Sequence, residues 1–251
     1  MVIAKKNFQI LNMQLSYNVD ECIERCIAEF DPVLSGSSTP NDAKELACRA
    51  HMGYCDSGRL RNIILQGADW AVKHLEKGDT REMVGGWYHP LSRGMLLCLL
   101  TNDTLRLKRL CAWAKPTKKP EYKGPLEDEI QLLYLVLSSL FQTAPDKKFE
   151  MLRQKIAACR VRNVKLLSNA LDAVINGDQQ SFGKAIEEYI KYHKSKPKPA
   201  QDAYFMEDWL PLHANVIYLI GLQRGLKPPD YPPEIAAYLM TPETVGFGKT
   251  K

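Results

Sequence analysis

No stretch of this sequence is apolar for long enough to cross a membrane as a helix, which takes about 20 residues. The longest apolar run, Ile130 to Leu140, is interrupted by Gln131, Ser138 and Ser139. The start of the chain does not read as a secretory signal either. Asn7, Gln9, Asn12 and Gln14 break up the apolar residues after Lys5 and Lys6, whereas a signal needs an unbroken stretch of about 7–15. The expected compartment is therefore the cytoplasm, with no membrane partner. Also missing are a Gly-x-Ser-x-Gly nucleophile elbow, a phosphate-binding P-loop and a Gly-x-Gly-x-x-Gly dinucleotide turn, so none of the common sequence signals for those chemistries is present. Strand-like alternation is scarce. Only Val84 to His89 passes as a short strand, and no hairpin turns flank it.

The 251 residues are enough to bury a substantial core, and 45% hydrophobic with 25% charged residues is ordinary globular usage. Seven cysteines, an odd number with no secretory signal, point to a reducing compartment and free thiols. The net charge is +5 and the isoelectric point is near 8.7, short of the value above about 9 that marks a nucleic-acid footprint. The excess is local. Arg106 to Lys123 carries seven cations against Glu121, and Asp146 to Lys165 carries seven against Asp146 and Glu150. Such runs read first as solvated helix faces and only second as a surface for an anionic partner. Nucleic acid is not the expected partner.

What the sequence does contain is helical period. Val19, Cys22, Ile23, Cys26, Ile27 and Phe30 fall on one stripe of a helix over Asp20 to Phe30. Further helices are predicted from Pro40 to Met52, from an N-cap at Asp56 or Ser57 to Lys77, and from Leu91 to Leu100. Others follow over Thr104 to Ala114, Leu126 to Phe141 (the expected deepest), Pro145 to Cys159 and Asn163 to Ile175. The last predicted are Gln179 to Lys194, Met206 to Arg224, and a short closing helix from Pro233 to near Met240. Lys115 to Pro125, with three prolines and four lysines, is the expected exposed loop or hinge. Leu100-Thr101-Asn102-Asp103 and Ile175-Asn176-Gly177-Asp178 echo each other about 75 residues apart, as does Lys77-Gly78-Asp79. In each, one helix ends and an aspartate is placed to cap the next, the grammar of stacked helical pairs. The expected fold is a single all-α domain: an irregular, repeat-like bundle of antiparallel helix pairs, about ten helices in all.

Several clusters invite a chemical reading. Cys22 and Cys26 lie one helical turn apart, as do Cys48 and His51, and Cys55 follows. Zinc takes four such ligands, but the spacing lacks Cys-x-x-Cys knuckles, and cysteines on an apolar stripe act as small hydrophobes. No metal or cofactor is expected. His51, His74, His193 and His213 fall in or at the ends of predicted helices and read as packing residues. Glu187–Glu188 and Glu207–Asp208 are adjacent acids, which point about 100° apart on a helix and do not face each other. Glu207–Asp208 suits the first turn of the last long helix, where the dipole favours negative charge. In Gly85-Gly86-Trp87-Tyr88-His89-Pro90, the two aromatics either plug a bundle end or anchor a partner. The candidate partner-binding residues are Trp87, Tyr88, Glu207 and Asp208. No catalytic residue is assigned, and the chain is not expected to be an enzyme.

One stretch carries a resemblance. Ser181 to His193 reads SFGKAIEEYIKYH. A basic spacer follows, then Asp208-Trp209-Leu210-Pro211-Leu212, a helix from Asn215 to Gly225, and Leu226 to Val245 reading LKPPDYPPEIAAYLMTPETV. This order resembles the all-α immunity proteins of bacterial polymorphic toxin systems, in particular the group numbered forty-nine. It covers about 65 residues and is a pattern of arrangement rather than a catalytic signature. It implies a non-enzymatic inhibitor that binds a cognate toxin domain and occludes its active site. The alternative is a helical-repeat adaptor for another protein or peptide.

Overall fold

The computed structural model describes residues 38–52, 60–77, 88–115, 125–141, 147–196 and 210–248. Among them every regular element is helical, and no strand occurs. Ten α-helices follow one another: α1 Ser38–His51, α2 Arg61–Lys77, α3 Tyr88–Leu100, α4 Thr104–Ala114, α5 Pro125–Phe141, α6 Lys147–Ala157, α7 Arg162–Asn176, α8 Gln179–Ser195, α9 Leu212–Gln223 and α10 Pro233–Ala236. A 3-10 turn, Glu243–Val245, closes the described chain. The helix expected over Asp20 to Phe30, the ending at Gly78-Asp79 and positions 116–124 of the expected hinge lie outside the described residues.

The all-α bundle is therefore built as the helical period predicts, and successive helices pack against each other from α1 to α8. The two echoed turns explain how. In the first, Asn102 is left-handed (φ 55), Asn102 N donates to Leu99 O and Asp103 N donates to Cys98 O. In the second, Gly177 is left-handed (φ 68), Gly177 N donates to Val174 O and Asp178 N donates to Ala173 O. Both are Schellman endings, which satisfy the last orphan carbonyls of a helix. Each then hands over directly to an aspartate N-cap. Asp103 accepts from Arg106 N, and Asp178 accepts from Ser181 N, each at 3.0 Å. A left-handed residue followed by a capping aspartate reverses the chain within two or three residues, so antiparallel neighbours follow.

Salt bridges report the same geometry. Arg106 on α4 bonds Asp69 on α2, and Arg109 bonds Glu76. These pairs advance in the same direction along both helices, so α2 and α4 run parallel on either side of α3. The beginning of α7 lies beside the end of α8, where the Arg162 guanidinium sits over the Tyr192 ring at 4.9 Å.

The core centres on α9. It packs against α3, α5, α7 and α8, and Leu212 and residues 214–221 are all buried. A helix apolar on all sides belongs in an interior rather than at a surface. Residues 91–100 of α3 are likewise all buried. Residues 132–139 of α5, the helix expected to lie deepest, are buried too, but Leu140 and Phe141 reach towards the surface. Both helices are wrapped by several neighbours: α9 by the four named, and α5 by α3, α4, α6, α7 and α9.

Several predicted boundaries shift, most of all in the last two helices. The last long helix starts at Leu212 instead of Met206, with Pro211 as its extended N-cap (ψ 96). Proline suits a helix start, where no N–H is needed, and breaks an interior. Glu207 and Asp208 therefore do not form the first turn of α9. The closing helix is only the four residues Pro233–Ala236 rather than a run to Met240.

Close packing at α8–α9 depends on Gly221. A Cβ there would lie 2.4 Å from Cζ of Phe182, whose ring is fully buried and stacked on Tyr218 with centroids 6.3 Å apart. Gly221→Ala is expected to destabilise the fold by about 1–3 kcal/mol, the usual cost of overpacking, read as a lower urea midpoint. An unchanged midpoint would show that the ring has room to retreat.

Candidate functional site

After Gly225, left-handed at φ 85, the chain does not leave the bundle. It folds back as a strap over residues 226–248, pinned at five places. Tyr231 donates its hydroxyl to Gly183 O on α8 at 3.0 Å. Lys194 Nζ donates to Glu234 O at 3.1 Å, and His193 meets the Tyr238 ring edge-on. Asn215, fully buried on α9, donates its amide to Pro211 O and Tyr238 O, each at 3.0 Å, and its carbonyl accepts from Met240 N at 2.6 Å. His51 at the end of α1 contacts Ala237 O through Nε2 at 3.0 Å and Thr244 Oγ1 through Nδ1 at 2.9 Å. The Arg61 guanidinium, at the start of α2, lies 5.1 Å from the centroid of Phe247. The strap buries Leu226, Ile235, Leu239, Met240 and Val245, so apolar burial adds to the polar pins at about 25 cal/mol per Å².

This placement decides what the histidines and thiols do. Cys48 and His51 stand one turn apart, and both face the strap. Cys48 Sγ is 4.0 Å from Met240 Sδ, and His51 is held as described. The other members of that sequence cluster, Cys22, Cys26 and Cys55, lie outside the described residues. Among the described residues no group of three or more His, Cys, Asp or Glu is gathered closely enough to hold a metal ion. Burial pushes the Cys98 thiol well up, and burial also raises Cys111 despite its contact with Ser138 Oγ at 3.7 Å. The thiolate is the reactive form, so these two thiols are core side chains. Burial lowers His74, and it lowers His51 although the bond to Ala237 O pulls the other way.

Three arginines of the basic runs prove to be committed to acids on other helices. Arg106 Nη2 lies 2.8 Å from Asp69, its Nη1 bonds Asp103, and Lys73 closes on Asp69 from the same helix. Burial raises Asp69, but the hydrogen bonds from Lys73 and Arg106 outweigh it and hold the carboxyl below its ordinary value. Arg109 grips Glu76 through Nε at 2.8 Å. In the second run Arg153 bonds Asp172 across to α7. Sequence counting missed this because the partner acids sit on other helices. It also missed Lys44, which is fully buried with its Nζ 2.8 Å from Glu45 Oε1. No spacing or neighbour in the sequence marks a lysine as internal.

Of the candidate partner residues, Tyr88 opens α3, at the start of the helix rather than in a loop. Its side chain, together with Trp87, Glu207 and Asp208, lies outside the described residues.

Asn215→Leu is expected to cost about 2–4 kcal/mol, because Tyr238 O and Met240 N would be left buried without their partner. The strap amides should then exchange with solvent faster than those of α3. Loss confined to global stability, with strap exchange still matched to α3, would contradict the clamp. Acid should also loosen the fold. His51 and His74 have folded-state pKa values below the ordinary 6.5, so the unfolded chain takes up these protons first. Their contribution is complete above pH 6.5 and is lost as the pH falls through the folded values. The melting temperature should drop as the pH falls below about 6.5, less steeply in His51→Gln, and a flat profile would sink the assignment. Comparison with family models, with curated proteins and with solved structures gives no match.

Proposed function

We propose that this chain is a non-enzymatic immunity protein that binds a cognate bacterial toxin domain and occludes its active site. The observation that carries the reading is the order of residues 181–245, which resembles the group of toxin-neutralising all-α proteins named above. Two structural features support it. The described part of that stretch forms one clasped unit, α8, α9 and the strap, joined through Asn215, Gly183 and Lys194. The described histidines whose bonds are set out above, and the thiols, are engaged in packing, which suits a scaffold that works by presenting a surface. Preorganised helices lose little conformational freedom on docking, which keeps the entropic cost of association down. No membrane-crossing helix occurs among the described residues, and a partner met in the cytoplasm accords with that. The proposed contact residues remain Trp87, Tyr88, Glu207 and Asp208. The stacking of consecutive hairpins from α1 to α8 favours a second reading, a helical-repeat adaptor for another protein or peptide.

Rescue of growth tests the first reading. The product of the neighbouring open reading frame, or its C-terminal domain, is expressed in a sensitive bacterium with and without this chain. Growth lost in its absence and restored by co-expression, with a complex recovered, is the expected result. A harmless neighbour, or one still toxic beside this chain, would leave the adaptor reading in front. Alanine at all four contact residues should weaken the complex at least tenfold, and undiminished binding would remove that interface.

A further inference from the structure

Arg106, Arg109 and Arg153 are engaged by acids on other helices, and one group of cations is not. Arg160 and Arg162 flank the start of α7, Lys165 stands one turn on, and Lys196 follows the end of α8. All four are exposed, and none has an acidic partner among the described residues. The Arg162 guanidinium lies 4.9 Å and the Lys196 ammonium 4.6 Å from the centroid of the same ring, Tyr192. Two like charges are thus held within roughly 10 Å of each other, an arrangement that an anion relieves. Val161, between the two arginines, is one of three large apolar side chains exposed among the described residues, at 46%. Among the described residues nothing local offsets the charge. The first turn of α7 has no acid and Val161 makes no side-chain cap, so the positive end of the helix dipole adds to the field. The acids nearest on α8 are engaged within their own helix, Glu187 by Lys191 and Glu188 by Lys184.

We infer that this face, Arg160, Val161, Arg162, Lys165, Tyr192 and Lys196, docks a carboxylate-rich protein surface. A cluster of cations round an aromatic ring and one exposed aliphatic side chain has the composition of an interface anchored by Arg and Tyr. The observations favour a protein over nucleic acid for two reasons. Following a phosphate backbone takes an extended basic track, and three arginines elsewhere, Arg106, Arg109 and Arg153, are engaged by Asp69, Glu76 and Asp172. Stacking of bases takes open aromatic rings, and Tyr192 already carries two cations with Tyr189 against it edge-on at 6.2 Å. The inference shares with the proposed function only the premise of a protein partner, and it names the charge that partner carries at this face.

The test uses the purified full chain and needs no toxin. A labelled oligoglutamate peptide and a labelled single-stranded oligonucleotide of equal length are titrated at physiological ionic strength, followed by fluorescence anisotropy. The peptide is expected to bind, to bind at least fivefold more weakly to the double variant Arg162→Gln, Lys196→Gln, and to bind equally to Lys184→Gln, an exposed lysine elsewhere on α8. Circular dichroism of the double variant should be unchanged, since only exposed side chains are altered. Absence of peptide binding, or equal binding by the double variant, would overturn the inference. Tighter binding of the oligonucleotide than of the peptide would overturn it in favour of nucleic acid. Failure of the rescue experiment leaves this result standing, and failure here leaves the rescue experiment standing.

Discussion

A helix enclosed on every side has to satisfy whatever polar group it carries into the interior, and α9 carries Asn215. Its amide reaches all three of its partners, two carbonyls and one N–H, and two of these belong to the strap rather than to the helix. A buried amide with that many bonds permits one arrangement of its surroundings and penalises the rest. The strap must therefore pass the N-terminal end of α9 at the register that presents Tyr238 O and Met240 N. Once it does, Ala237 and Thr244 arrive at His51, and Met240 arrives at Cys48. The first and the last described parts of the chain are brought together through a single side chain in the centre of the bundle.

The hairpins outside that centre rest on local chemistry. A left-handed residue and a capping aspartate recur at Asn102–Asp103 and at Gly177–Asp178 with matching hydrogen bonds. Asn102 is one of the few non-glycine residues that tolerates this conformation. Asp103 serves twice, as cap for α4 and as a partner of Arg106, which then reaches α2. Turn, cap and inter-helix ion pair are thus one connected device. Arg106 and Arg109 have their charges answered by Asp69, Asp103 and Glu76.

The described bundle combines a stiff body with a surface that is not wholly satisfied. The stiff body comes from α3 and α9, whose apolar residues are almost wholly withdrawn from water, each large aliphatic side chain contributing about 1.5–3 kcal/mol. Among the described residues, charge without an answering charge is found at the junction of α7 and α8. There the same hairpin geometry that neutralises Arg106 and Arg153 elsewhere brings Arg162 and Lys196 onto one tyrosine and, among the described residues, supplies no acid.

The all-α class, the positions of the helices and the turn at Gly177-Asp178 were legible in the sequence because they rest on interactions within four or five residues: apolar period, capping side chains, and residues that accept a left-handed backbone. Even the start of α9 was readable in principle from Pro211, although the apolar run around it suggested an earlier start. Which helices α9 and α5 lie against was not legible, since both are apolar and an apolar face does not name its partner. Nor were the partners of Arg106, the burial of Lys44, the clasp of Asn215 on residues 23 and 25 positions away, or the meeting of His51 with a threonine 193 positions distant. These depend on which helix faces lie against each other in three dimensions. A one-dimensional pattern records that a face is apolar or charged, and only the packed structure decides what it meets.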